Sequence, residues 1–152
     1  ETVTDAAIDQ GLSTAQWPGR LELLRRSPDF IVDGAHNPQC VDALMDSLAA
    51  LYGDKKLIFL TGVLRDKDWQ QMLRRALPLA KAFVVITPPS ARALDENELA
   101  AWLNAQGVQA VPAKDTDDGV RRVLALAGED DAICSWGSLY FTGEVRRVLT
   151  EQ

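Results

Sequence analysis

The chain has 152 residues, 47% hydrophobic and 25% charged, and its 16 Lys and Arg against 22 Asp and Glu give a formal net charge of -6. That length suits one domain of ~100–150 residues. The composition excludes a disordered or fibrous chain, and the acidic balance argues against nucleic acid or an anionic membrane as the main partner.

Residues 1–19 are polar and weakly periodic and end in Trp17-Pro18-Gly19, the pattern of a lead-in or linker. Leu21 to Leu24 and Phe30 to Val32 read as two short strands, joined by a turn at Ser27-Pro28-Asp29 and able to pair antiparallel. Asn37-Pro38 has the form of a helix N-cap with proline at the first helical position. Val41, Leu44, Met45, Leu48 and Leu51 follow at spacings of three and four, which predicts one apolar helix face, stopped at Gly53. Leu57 to Leu60 is nearly all apolar, the signature of a parallel strand buried on both faces.

A helix follows with Trp69, Met72, Leu73, Ala76 and Leu77 on one side, then a strand from Ala82 to Ile86. Asp95 and Glu98 resemble a capping box, opening a helix with Leu99, Trp102 and Leu103 inward. A short strand is expected over Val108 to Val111, and a helix from Asp115-Thr116 carries Val120, Val123, Leu124 and Ala127. Ala132 to Cys134 is the last strand, and the last helix starts near Leu139 and carries Val145, Val148 and Leu149. Repeated β-α units of this kind predict an α/β fold: a mostly parallel sheet of about six strands, one antiparallel, with helices on both faces. Cys40 and Cys134 lie in apolar runs with no metal or redox spacing and are expected as reduced, buried thiols. No apolar run approaches the ~20 residues of a membrane span, and no signal peptide opens the chain. The first residue is Glu1, not Met, in keeping with a piece of a longer, cytoplasmic protein.

In open sheets of this type, ligands bind beyond the carboxyl ends of the strands. Three such ends hold chemistry. The first is Asp33-Gly34-Ala35-His36-Asn37-Pro38, with a carboxylate, the single histidine and a helix start that attracts anions; Asp33 and Asn37 could equally serve only as caps. The second, Thr61 to Asp68, could line a cleft through Lys67 and Asp68 or be a solvated, capped helix start. The third, Ser135-Trp136-Gly137-Ser138, offers two hydroxyls beside a flexible glycine, or simply a serine N-cap. There is no Walker loop, no G-x-G-x-x-G fingerprint and no nucleophile elbow, and one histidine leaves no His-rich metal site.

Four strings occur in order: Trp17-Pro18-Gly19-Arg20-Leu21-Glu22, Asp33 to Pro38, Gly62 to Asp68, and Gly137-Ser138-Leu139-Tyr140. Together they resemble the C-terminal domain of folylpolyglutamate synthase, often bifunctional with dihydrofolate synthase, in the Mur ligase superfamily. The resemblance implies a Rossmann-like three-layer domain over residues 20–152, preceded by a linker (1–19) from an N-terminal ATPase domain. It implies an ATP-dependent ligase that joins glutamate to folate or pteroate through an acyl phosphate, with Mg2+ held mainly by that other domain and no metal here. It assigns Arg20 and Asp33 to ATP, His36 to catalysis and glutamate, and Ser138 to glutamate, with Asn37, Lys67 and Asp68 at the same rim. The setting it implies is a cytoplasmic monomer. The alternatives are the matching domain of a peptidoglycan amino-acid ligase, which usually carries tyrosine where Gly34 stands, and a non-catalytic nucleotide-binding or receiver-like module.

Overall fold

A computed structural model describes residues 18–151. The lead-in expected over residues 1–19 therefore lies, up to Trp17, outside the described residues. Six strands form one sheet: β1 (Glu22–Arg25), β2 (Asp29–Val32), β3 (Leu57–Thr61), β4 (Ala80–Val85), β5 (Ala110–Pro112) and β6 (Ala132–Trp136). Their order across the sheet is β1-β2-β6-β3-β4-β5. Only β1 runs antiparallel, paired with β2; the other pairings are parallel. The helices are α1 (Pro38–Tyr52), α2 (Trp69–Ala76), which runs into a 3-10 turn at Leu77–Leu79, α3 (Glu96–Ala105), α4 (Thr116–Leu126) and α5 (Leu139–Thr150).

The period-two alternation of side chains divides the core into two layers. Ile31, Leu57, Phe59, Phe83, Val85, Cys134 and Trp136 pack with α1, α2 and α3. Their sheet neighbours Phe30, Val32, Ile58, Leu60, Val84 and Ile133 pack on the opposite face with α4 and α5. Strands covered on both sides are apolar at nearly every position, and β3 and β6 are buried from end to end with Thr61 and Ser135 as their polar residues. Each fully buried Leu, Ile or Phe contributes roughly 1.5–3 kcal/mol of transfer free energy, so this double layer holds the sheet and sets where its carboxyl edge lies.

Several expected boundaries move for local reasons. β1 begins at Glu22, not Leu21, because Leu21 has φ of +41°, outside the extended region. β5 is shorter than expected, and it contains Pro112, which an edge strand tolerates because its missing N–H is not needed by a neighbour. Leu51 was expected on the apolar face of α1 and is 64% exposed. Tyr52, four residues beyond Leu48, takes the inward place, and its hydroxyl donates to Asp29 Oδ2 at 3.0 Å. Trp102 is only partly buried, set edge-on to Trp69 at 5.3 Å between ring centroids. Cys134 is buried as expected, but Cys40 is exposed: it lies beside the stripe formed by Val41, Leu44, Met45 and Leu48, not on it.

Candidate functional site

Two neighbouring strands send the chain to opposite faces. β2 feeds α1 on one face, and β6 feeds α5 on the other. A crevice opens where such connections diverge, and a cavity of about 560 Å3 lies there. Its walls come from the turn before β1, the carboxyl end of β2, the first turns of α1 and the first two turns of α5.

The turn before β1 presents Arg20, an exposed residue that lines the cavity. Both flanking residues have left-handed φ, +75° at Gly19 and +41° at Leu21. A leucine in that region is strained, by an amount of order 1–3 kcal/mol, and persists only where the surroundings enforce it. They do so here. The Gly19 N–H donates to Glu22 Oε2 at 2.9 Å, the Gly19 carbonyl accepts from Gly34 N–H at 2.7 Å, and the Leu21 N–H donates to Asp33 Oδ2 at 2.9 Å. Arg20 thus stands between two residues whose backbones are tied down.

At the end of β2, Asp33 uses its other oxygen, Oδ1, to accept the Ala35 N–H at 2.8 Å, and its carbonyl accepts from Thr142 Oγ1 at 3.1 Å. Each carboxylate oxygen keeps a second lone pair. Gly34 lies under Leu139: a Cβ there would stand 2.6 Å from Leu139 Cδ2, so that exposed side chain would have to turn aside. The half-buried His36 places Nδ1 at 2.9 Å from the Gly34 carbonyl. A carbonyl can only accept, so Nδ1 carries the proton and Nε2 of the neutral ring is an acceptor. Asn37 caps α1, its Oδ1 accepting from Cys40 N–H at 2.9 Å.

The next two strand ends are packed against each other. The Gly137 N–H donates to the Ala35 carbonyl at 2.9 Å, which puts Ser138 beside the histidine loop. Thr61 Oγ1 donates to the Trp136 carbonyl at 2.8 Å. Ser138 is 4% exposed, opens α5 without a side-chain cap bond, and does not line the cavity. In the loop after β3, Arg65 pairs with Glu98 at 2.7 Å and Asp66 with Arg92 at 2.7 Å. Asp68 caps α2 by accepting from Gln71 N–H at 3.3 Å. Lys67 is half-buried in the same loop, away from the cavity.

Beyond β5, a shallower hollow is lined by Lys114, Arg121 and Arg122 around the buried Asp118. Arg122 Nε donates to Asp118 Oδ2 at 2.8 Å, and Arg121 also pairs with this carboxylate. The Arg122 bond, helped by the Lys114 N–H, holds the Asp118 carboxyl down to about 2 against the opposing push of desolvation. Among the described residues no group of three or more His, Cys, Asp or Glu side chains could hold a metal ion, and no described helix is long and apolar enough to cross a membrane.

The structure therefore brings Arg20, Asp33 and His36 together on one cavity, puts Ser138 at the adjoining strand end, and leaves Asn37 and Asp68 as helix caps. It adds Arg146, which sequence reasoning missed. Arg146 lies in the second turn of α5 and lines the same cavity. No local motif marks it; only the pairing of Arg146 with Glu22, 124 residues away, reveals it.

Strand order, crevice and guanidinium-lined edge define a Rossmann-like α/β domain with its ligand face at the carboxyl ends of the strands. More narrowly, the family described as "Mur ligase, glutamate ligase domain" matches residues 19–139, and the chain belongs to that family. It is 29% identical over 150 residues to the dihydrofolate synthase/folylpolyglutamate synthase of Bacillus subtilis, covering 97% of this chain and 34% of the relative. It is 31% identical to the folylpolyglutamate synthase of Lacticaseibacillus casei, covering 97% and 33%. Among solved structures, the bifunctional folylpolyglutamate synthase/dihydrofolate synthase of Yersinia pestis complexed with AMPPNP and Mn superposes with a TM-score of 0.86 at 28% identity, over 97% of this chain and 35% of that one. The Mycobacterium tuberculosis folylpolyglutamate synthase complexed with ADP and AMPPCP gives 0.86 at 28% identity, over 96% and 35%. The chain spans about a third of the length of these relatives.

Proposed function

We propose that this chain is the C-terminal domain of an ATP-dependent ligase that adds L-glutamate to a folate, and to dihydropteroate if bifunctional like its relatives. The observation that carries the reading is the meeting of Arg20, Asp33 and His36 on one cavity at the carboxyl edge of the sheet. In this reaction the folate carboxylate attacks the γ-phosphorus of ATP and ADP leaves. The glutamate amine then attacks the acyl-phosphate carbon, inorganic phosphate departs, and the amine gives up a proton.

Little covalent work falls to the protein. Positioning and charge stabilisation do most of it. Arg20 suits phosphate oxygens because its fork of N–H donors is planar and permanently charged. Asp33 accepts ribose hydroxyls through its remaining lone pairs. His36 presents Nε2, with Nδ1 pinned by Gly34, to take the amine proton or, when protonated, to bind a carboxylate. Ser138 serves the glutamate side from the end of β6, with Asn37, Lys67 and Asp68 as rim residues. Magnesium, which would neutralise phosphate charge, would be held mainly by the ATPase domain. The setting is a cytoplasmic monomer without nucleic-acid or membrane partners. A peptidoglycan acceptor is disfavoured because the relatives and solved neighbours are folylpolyglutamate and dihydrofolate synthases.

The test is ATP- and glutamate-dependent ligation, measured for the 152 residues alone and for a chimera in which they replace the matching third of the Yersinia pestis enzyme. The chimera is expected to lengthen tetrahydrofolate by glutamate, and the chain alone is expected to form no product. A folded chimera with no ligation, or clear turnover by the chain alone, overturns the proposal.

A further inference from the structure

Arg146 has an unusual environment for a helix-surface arginine. Its Nε donates to both oxygens of Glu22, at 3.1 and 3.3 Å. The same Glu22 carboxylate accepts the Gly19 N–H at 2.9 Å. One carboxylate, half-buried, thus holds the backbone of the Arg20 turn and the neck of a second guanidinium at once. The Arg146 guanidinium makes no other hydrogen bond or ion pair among the described residues, so its two terminal amino groups keep their donors, and the residue lines the cavity that Arg20 lines. A lone exposed ion pair is worth little. This one does something else: it uses only Nε and fixes the plane of the guanidinium, which lowers the entropy lost when the remaining donors meet an anion.

We propose that Arg146 is a second polyphosphate contact of this cavity and that Glu22 is the positioning residue for both guanidiniums; this rests on the assignment of the cavity to ATP. Two forks on one cavity suit an anion carrying several oxygens, and the apolar wall formed by Ala43, Leu44 and Leu139 suits the planar base joined to it. Glu22 acts at a distance from the ligand. Its negative charge is matched by Arg146, and its removal releases the Gly19 amide, one residue from Arg20.

The experiment titrates ATP, and in a parallel arm inorganic tripolyphosphate, into the full chain by calorimetry. The set is wild type, Arg20→Gln, Arg146→Gln, Arg146→Lys, Glu22→Gln and, as control, Arg147→Gln, whose native partner is Glu151, the residue just past the end of the helix. Loss of a charge-assisted bond predicts that Arg146→Gln weakens both ligands by about tenfold or more. Arg146→Lys should recover part of the loss and Arg147→Gln should bind as wild type. Glu22→Gln, whose amide oxygen can still accept the Gly19 N–H, should weaken both ligands several-fold while hydrogen-exchange protection at the Gly19 amide persists, so the loss reads the charge that aims Arg146 and not the structure of the turn. Binding that is lost in Arg20→Gln but unchanged in Arg146→Gln and Glu22→Gln overturns this proposal and leaves the ATP assignment standing. ATP binding that is indifferent to Arg20→Gln and Arg146→Gln alike, in the chain or, if the chain alone binds none, in the Yersinia pestis chimera, overturns both.

Discussion

Asp33 reaches back twelve residues along the chain to Leu21, accepting its N–H at 2.9 Å, while its second oxygen holds Ala35 N–H at 2.8 Å. A single carboxylate therefore sets the distance between the turn that bears Arg20 and the loop that bears His36. Asp33→Ala removes both bonds and leaves the strained Leu21 held only through the Gly19 bonds to Glu22 and Gly34. The expected cost is about 1–3 kcal/mol in urea unfolding, with loss of whatever ATP affinity the chain has. Asp33→Asn keeps one acceptor and is expected to recover about half of the stability. An alanine variant as stable as wild type would show that the turn is held without this carboxylate.

Gly137 and Gly143 lie six positions apart and should respond in opposite directions to alanine. At Gly137 φ is +124°, and a Cβ would stand 2.4 Å from the Gly62 carbonyl oxygen and 2.8 Å from Thr61 Oγ1. Backbone cannot yield as a side chain can, so Gly137→Ala is expected to cost at least about 3 kcal/mol. Gly143 is inside α5 with nothing within 4 Å of its Cβ position. Gly143→Ala should stabilise by about 0.5–1 kcal/mol through helix propensity, raising the midpoint of thermal unfolding by about 1–4 °C.

Asp118 gives the chain an acid-sensitive joint. Its carboxyl is held at about 2 in the folded state, chiefly by Arg122, against an ordinary value of 3.8. A depressed folded value contributes stability that is fully present above the ordinary value and is lost as pH falls toward the folded one. Stability should therefore drop between about pH 4 and pH 2. Asp118→Asn should be less stable at pH 7 and show a shallower fall over that window. Parallel curves for the two proteins would contradict the assignment.

The two thiols should separate cleanly in a disulfide-exchange titration. Cys40 is exposed on the cavity wall. Cys134 is buried, and burial, with the nearby Asp33 charge, pushes its thiol well up. One thiol should react in the native state and the second only after unfolding. ATP should slow the Cys40 reaction; an unchanged rate at saturating ATP would place the nucleotide elsewhere.

The sequence pattern carried the fold well because its apolar signals were clear. The unbroken apolar run from Leu57 to Leu60 and the three-four spacing of Val41, Leu44, Met45 and Leu48 each had one physical reading. Boundaries were less legible where backbone strain or an edge position decides, as at Leu21 and Pro112. The candidate site was legible where its residues follow one another, as from Asp33 to Asn37. Arg146 was not, because the carboxylate that aims it belongs to the first strand and meets it only through tertiary packing. Ser138 looked available as a polar residue beside a glycine; packing of Gly137 against Gly62 draws that stretch inward and leaves it 4% exposed.

The loops that follow β3 and β4 are fastened to each other: Arg65 to Glu98, Arg92 to Asp66, a bridge between Leu64 and Ala93, and the Leu94 N–H on the Val63 carbonyl at 2.9 Å. That half of the rim behaves as a single stiff plate. The other half is bounded by Leu139 and Tyr140, which project into solvent at 63% and 74% exposure. A body covering the strand ends would therefore bury apolar surface on the flank of Leu139 and Tyr140, next to Arg20 and Arg146, and meet already paired charges on the other flank.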